Sequence, residues 1–287
     1  MQIEPFYDPV TATLSYVVYD ARERVAVVID PVLDYDPASA RRSAESVGRI
    51  ATFLEERRLD VAYVLDTHAH ADHVTALAWI ARRYGAKRVI GAKIGLVQAT
   101  FRDLLRLGDA QPTDGRPFEI LLADGERLDV GPFAIEAIET PGHTPACLTY
   151  RVEDALFVGD TLFQPDYGTA RCDFPGGDAA TLHASITALY ASHPPETRVF
   201  TGHDYRPGGR PVAFESTLGE QRATNVQLSD ATACADFVAF RRRRDATLGV
   251  PALMIPSIQL NLRAGESPTP EANGIAYLRL PLDLFGS

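Results

Sequence analysis

Cysteine is scarce. The 287 residues carry three, Cys147, Cys172 and Cys234, and an odd number at wide spacing argues against a disulfide framework and for a reducing compartment. No CxxC pair occurs, which removes a cysteine-rich zinc site. Positive charge is also short: 28 Lys and Arg stand against 38 Asp and Glu, a formal net charge of −10. A general nucleic-acid binder needs a clustered basic surface and is excluded. The one basic run, Arg241 to Arg244, reads as a solvated helix face. No apolar stretch is long enough to span a bilayer. Met1 to Pro9 includes Glu4 and Asp8 and has neither a signal core nor a transit pattern. A cytoplasmic protein without a membrane partner is expected.

What remains is ordinary globular material, 46% hydrophobic and 23% charged, long enough to bury a sizeable core. Leu14 to Tyr19 and Val25 to Ile29 read as strands, and the second ends at Asp30-Pro31. Asp36-Pro37 looks like an N-cap and first helical residue, with Val47, Ile50, Ala51 and Leu54 carrying the helix to about Arg58. Val61 to Leu65 is an apolar strand, Leu77 to Tyr84 a helix closed by Gly85, and Arg88 to Gly91 a further strand. The pattern weakens from Lys93 to Glu119, where Ile94 to Leu107 could be helical and the segment a lid or interface element. Leu128 to Glu139 reads as a hairpin turning at Gly131-Pro132. Leu148 to Arg151, Ala155 to Val158 and Arg198 to Thr201 are strands, and Ala179 to Ala191 is a helix. Beyond them come helices near Glu215 to Gln227 and Ala235 to Thr247, then a Pro-rich tail. No linker divides the chain, so residues 1–287 are expected to be one unit, with 210–287 a helical and Pro-rich extension. Antiparallel strand groups followed by alternating strands and helices, in both halves, suit an α+β fold of two sheets with helices outside.

The chemical signal is His68-Ala69-His70-Ala71-Asp72-His73, directly after a strand and before a helix. Three imidazoles and a carboxylate within six residues form a dense set of metal ligands. His143, Asp160 and His203 each follow an apolar strand at a Gly-bearing turn: Thr140-Pro141-Gly142, Phe157-Val158-Gly159 and Phe200-Thr201-Gly202. Strand ends on one edge of a sandwich converge, so these residues can share one centre. His183, His193, Cys147, Cys234 and Trp79 have no ligand neighbours and read as structural. Cys172 stands beside Arg171, which could lower its pKa and make it a persulfide carrier; a small structural residue is the plainer reading.

The complete HxHxDH motif with the later His, Asp and His closely resembles the metallo-β-lactamase superfamily over roughly Phe6 to Tyr205. The resemblance implies a four-layer αββα sandwich with metal at one edge. In two-metal members the equivalents of His68, His70 and His143 hold one ion and those of Asp72, His73 and His203 the second, bridged by Asp160. Two chemistries occur on this scaffold. Hydrolases of the glyoxalase II kind use two zinc ions to attack a glutathione thioester. Persulfide dioxygenases use iron held by two histidines and a carboxylate to oxidise glutathione persulfide with O2 to sulfite and glutathione.

Several stretches are similar to the dioxygenase branch: the opening Phe6-Tyr7-Asp8-Pro9-Val10-Thr11-Ala12-Thr13, Thr67 to His73 with Ala69 inside it, Arg171-Cys172-Asp173-Phe174, and Gly202-His203-Asp204-Tyr205. The long helical glutathione-binding extension of glyoxalase II is not evident. That branch implies one Fe(II) on His68, His143 and Asp160, with His70, Asp72, His73 and His203 around them orienting the ligands. Asp72, His73, His203 and Tyr205 are the catalytic candidates. Arg171 is a candidate for holding a glutathione carboxylate, or it pairs with Asp173; Tyr205 is a second substrate contact. Lys93 to Glu119, Phe163 to Thr169 and the C-terminal tail are longer than in short members. The carrier thiol is therefore open between glutathione, another small thiol and a protein. Family members are commonly dimers, so a homodimer is expected. The alternatives are the dinuclear zinc thioesterase and a non-catalytic sulfur-species sensor.

Overall fold

A computed structural model describes residues 1–284. In chain order its elements are β1 (Gln2–Asp8), β2 (Thr13–Asp20), β3 (Val25–Ile29), β4 (Val32–Asp36), β5 (Arg41–Ser43), α1 (Glu45–Arg57), β6 (Asp60–Leu65), β7 (Val74–Thr75), α2 (Leu77–Tyr84), β8 (Lys87–Gly91) and α3 (Ile94–Leu104). There follow β9 (Ile120–Leu122), β10 (Arg127–Asp129), β11 (Ala134–Glu139), β12 (Leu148–Val152), β13 (Ala155–Gly159), α4 (Ala179–Ser192), β14 (Arg198–Thr201), β15 (Glu215–Thr217), α5 (Leu218–Thr224), α6 (Cys234–Asp245) and α7 (Met254–Asn261).

Alternation along the strands builds the layers. On β2 and β3, Leu14, Tyr16, Val18, Val27 and Ile29 face one way, and Val17, Tyr19, Ala26 and Val28 the other. Both faces are apolar, so this sheet must be covered on both sides. It runs β1-β2-β3-β6-β8-β9, antiparallel across β1 to β3 and parallel from β3 to β9. The second sheet runs β10-β11-β12-β13-β14-β15, with only β13 and β14 parallel. Leu14, Tyr16 and Ile29 of the first meet Ile135, Tyr150, Phe157 and Phe200 of the second. Helices α1, α2, α3 and α7 cover the outer face of the first sheet, and α4, α5 and α6 that of the second. This is the αββα sandwich expected.

Two buried tyrosines lock the sheets at one edge. Tyr16 on β2 donates to the Thr201 carbonyl (2.6 Å), and Tyr150 on β12 donates to the Asp66 carbonyl (2.8 Å). Each holds the end of a strand in the opposite sheet, at the edge where the ligand candidates emerge.

Several local readings need correction. Asp36 does not start a helix. Its carboxylate accepts from Ala38 N–H and the Ser39 hydroxyl, closing the turn between β4 and β5, because an Asx turn and an N-cap use the same local chemistry. Glu215 to Thr217 is a strand; α5 begins after it, through a capping box between Thr217 and Glu220. The Pro-rich tail hides α7, whose Pro256 sits in the first turn, where no backbone donor is missed. The stretch expected to be a lid or interface element contributes α3 to the core through Ile94, Val97 and Phe101. Gln2–Asp8 is an additional strand, β1, whose alternation Pro5 interrupts, as an edge strand tolerates. Cys234 is exposed rather than packed. Among the described residues no helix is long and apolar enough to cross a membrane.

Candidate metal centre

Asp30 leaves β3 with φ +49°, in the left-handed region, where a non-glycine residue is uncommon. The turn aims its carboxylate back across the sheet. Oδ1 accepts from Thr67 N–H (2.7 Å) and lies 3.0 Å from His70 Nε2; Oδ2 accepts from the Thr67 hydroxyl (2.9 Å). These bonds fix two tautomers. His70 donates Nε2–H to Asp30 and keeps the lone pair on Nδ1. The Thr67 hydroxyl has spent its proton on Asp30, so it accepts from His68 Nδ1–H at 3.1 Å, leaving the lone pair on Nε2. His70 Nδ1 and His68 Nε2 are both buried without a hydrogen-bond partner. His143 is set the same way: Nδ1–H donates to the Arg171 carbonyl (2.8 Å), and Nε2 is left to face Asp160.

Backbone geometry delivers the later ligands. Gly142 has φ +141°, and a Cβ there would fall 2.4 Å from Leu182 Cα, so only glycine lets the His143 turn seat on α4. Gly159 has φ +49°, with its absent Cβ 2.4 Å from Thr67 Oγ1. It brings Asp160 against the metal loop itself.

The seven sequence candidates meet at this edge. Asp160 Oδ2 lies 3.9 Å from His68 Nε2 and 3.8 Å from His143 Nε2. Those gaps are too long for hydrogen bonds and leave room for a shared cation. His203 Nε2 is 3.4 Å from Asp160 Oδ1 and 3.3 Å from Asp72 Oδ2, while His73 Nδ1 is 3.2 Å from Asp72 Oδ2. His68, His143 and Asp160 form one three-ligand group, and His70, Asp72 and His73 another. His73 Nε2 and Asp160 Oδ1 are further buried atoms without partners. Buried polar atoms are almost always satisfied, so this set fits a bound metal: aligned lone pairs with nothing else to bond.

Electrostatics agree. Burial, then its neighbour His70, holds His68 well below the usual imidazole range; burial, then His73, does the same for His70. Both are neutral and ready to ligate. Burial pushes the Asp72 carboxyl up, but His203 and His73 outweigh it and hold it well below the usual carboxylate range. Burial also presses His203 down, and Asp160 and Asp72 carry it above its ordinary value.

A cavity of about 510 Å³ opens on the centre through Asp72, His143 and Asp160. Phe163, Tyr167 and Phe174 are among its walls. Tyr205 is exposed there, its ring stacked on His203 at 5.5 Å. Arg171 also lines the cavity, with its fork closed on Asp173 (2.6 and 2.7 Å) and Nη1 on the Gly249 carbonyl (2.7 Å). Cys172 is buried, and its thiol is pushed up to about 12, burial outweighing the pull of Arg241; the lowering expected from Arg171 does not occur. His183 and His193 lie on and just after α4, away from the centre.

Three residues that hold the centre carried no ligand signal in the sequence. Asp30 looked like a strand end, and Thr13 like the start of one. Asn261 sits in the tail, 188 residues from His73. The Asp30-Pro31 step after a β-rich run marked a turn, not a partner, and the Phe6 to Thr13 stretch pointed to a family branch without assigning Thr13 a role.

Residues 8–203 match the model of the metallo-beta-lactamase superfamily. The chain belongs to that superfamily. It is 45% identical to a probable metallo-hydrolase of Burkholderia pseudomallei, over 99% of each chain. It is 41% identical to glyoxylase B2 of Dictyostelium discoideum, over 98% of this chain and 97% of that one. Identity to the human mitochondrial persulfide dioxygenase ETHE1 is 30%, over 93% and 90%. The crystal structure of ETHE1 from Myxococcus xanthus aligns with a TM-score of 0.74 at 26% identity, covering 93% of this chain and all of that one.

Proposed function

We propose that the chain is an iron-dependent persulfide dioxygenase that takes glutathione persulfide, O2 and water to glutathione, sulfite and two protons. In this balance the outer sulfur gives up four electrons, and O2 accepts them. The observation that carries the reading is the buried three-ligand group of His68, His143 and Asp160, of which His143 and Asp160 line a cavity. Its two-His, one-carboxylate composition suits non-haem Fe(II) with open positions. Similarity to the persulfide dioxygenases runs the length of the fold. Iron, when bound, would supply the site where persulfide sulfur and O2 meet.

The chain's own residues define the rest. Phe163, Tyr167 and Phe174 give the cavity apolar walls, which strengthen charge interactions inside by excluding water. Arg171 positions His143 through its backbone carbonyl, while its side chain is engaged with Asp173. Arg244 also lines the cavity, is exposed, and among the described residues forms no ion pair. It is available to a substrate carboxylate, which favours an anionic carrier such as glutathione.

A second reading, a dinuclear zinc thioester hydrolase, draws on the unpartnered His70 Nδ1 and His73 Nε2 and on the relatives described as a metallo-hydrolase and a glyoxylase. Metal analysis with an oxygen electrode decides between them. About one iron per chain, with oxygen uptake on glutathione persulfide, is expected. Two zincs and thioester cleavage, or no uptake above a His143→Ala control, would overturn the dioxygenase reading.

A further inference from the structure

The turn between β1 and β2 lies against His73 and His203, the two candidate histidines that neither the Asp30 network nor the Arg171 carbonyl reaches. Asp8, in the Phe6-Tyr7-Asp8 stretch, is buried, and its Oδ2 accepts from Thr11 N–H (2.9 Å) and the Thr11 hydroxyl (2.6 Å). Thr11 Oγ1 is 2.7 Å from Thr13 Oγ1. Thr13 Oγ1 is 3.3 Å from His73 Nδ1 and 3.5 Å from His203 Nδ1. The turn is held in place by a bridge between Thr13 and His203 and by Leu14 N–H on the Gly202 carbonyl (2.8 Å).

Proton counting gives this chain a direction. A carboxylate only accepts, and a hydroxyl has one proton to give. Thr11 gives its proton to Asp8, so the 2.7 Å contact is filled by the Thr13 proton. Thr13 then has only lone pairs for the imidazoles, and both must present Nδ1–H. Each ring, when neutral, then keeps its lone pair on Nε2. That of His203 faces Asp72 and Asp160, and that of His73 is buried without a partner.

We propose that Asp8, acting through Thr11 and Thr13, is a positioning residue that fixes the tautomers of His73 and His203 so that both Nε2 lone pairs point into the metal centre. The inference rests on reading this site as a metal centre and holds for either chemistry there. The two sides of the centre then have the same construction: Asp30 with Thr67 sets His68 and His70, and Asp8 with the two threonines sets His73 and His203. Two devices compete: Asp72 Oδ2 also reaches His73 Nδ1 (3.2 Å), and the Ala12 backbone is a second hydrogen-bond partner for His203.

The test is a long-range proton–nitrogen NMR correlation on ¹⁵N-histidine-labelled protein, zinc-loaded and metal-free, which reads the tautomer of each ring. Wild-type protein is expected to show Nδ1–H at His73 and His203. Thr11→Val frees the Thr13 proton to turn toward the rings. It should mix the tautomers at those two positions while leaving His68, His70 and His143 unchanged, and Thr11→Ser should restore them. Zinc affinity by chelator competition should fall about tenfold or more in Thr11→Val and Asp8→Leu, as for other residues that orient metal ligands, and recover in Thr11→Ser. Wild-type tautomers at His73 in Thr11→Val would assign the task to Asp72 and overturn the proposal. So would an unprotonated Nδ1 at either ring in the wild type. Failure to bind either zinc or iron would sink the metal-centre reading, and the metal-free spectrum still decides the relay.

Discussion

Asn261 Nδ2 donates to the backbone carbonyls of both His70 and His73, at 2.8 Å each. Its Oδ1 accepts from Thr75 N–H at 2.9 Å, and the side chain is fully buried. One amide from α7 thus clamps both ends of the His70-to-His73 turn, which has few backbone bonds of its own. Met254, Ile258 and Leu260 pack the same helix into the core. The C-terminal stretch is therefore part of how the metal loop is held.

Asn261→Leu keeps the volume and removes all three bonds. Each buried backbone group left unpaired costs about 1–3 kcal/mol, so chemical denaturation should show a loss of several kcal/mol. Metal affinity by chelator competition should drop as well. A variant that keeps wild-type metal affinity would show that the loop holds its shape unaided.

His68 and His70 are buried with pKa values held well below 6.5. Below that pH the unfolded chain takes up protons that the metal-free native state refuses. Stability of the metal-free protein should therefore rise with pH up to about 6.5 and fall on acidification, by up to about 1.4 kcal/mol per pH unit for each residue. His203 acts in the opposite sense: raised by Asp160 and Asp72 against its burial, it contributes stability below its unfolded pKa that is lost as pH rises through the folded value. Urea titrations between pH 5 and 8 read the balance. With two residues against one, a metal-free protein most stable at pH 5 would contradict the burial argument.

Cys147 and Cys172 are both pushed to about 12 by burial, and Cys234 is exposed. Alkylation of the native protein near neutral pH should label Cys234 alone, with the other two reacting only on unfolding, as peptide mass mapping would show. Rapid labelling of Cys172 would reopen its reading as a persulfide carrier.

Arg244→Gln should raise KM for glutathione persulfide by about three- to tenfold with kcat little changed. The contact is charge-assisted but solvent-exposed, so its worth is discounted. Calorimetric titration with S-methylglutathione should weaken in parallel, and the diethyl ester should not distinguish the variant from wild type. Equal KM values would remove Arg244 as a carboxylate contact.

Strand and helix periods were legible where one local rule acted alone: Val25–Ile29, Leu77–Tyr84 with Gly85, and Arg198–Thr201 all lie where alternation or capping places them. Errors fell where one chemistry serves two structures. Asp36 turned a hairpin instead of starting a helix, and proline masked α7 and β1. All seven ligand candidates could be picked out because side-chain type and order are written in the sequence, and the turns that expose them need glycine and proline at fixed places; the structure brings them to one edge.

Position and direction were settled elsewhere. Which nitrogen of each imidazole is free depends on Asp30, Thr67, Thr13 and the Arg171 carbonyl, groups whose types are common and whose own partners are mostly distant in sequence. Likewise, Arg171 reads as the carboxylate contact in the sequence and Arg244 as part of a solvated helix face. The packing closes Asp173 on the first and leaves the second lining the cavity. Residue type and alternation were enough to pick out the ligand candidates and the layers; the aim of each candidate's lone pair came only with folding, because a hydrogen bond's direction depends on every other bond its partner makes.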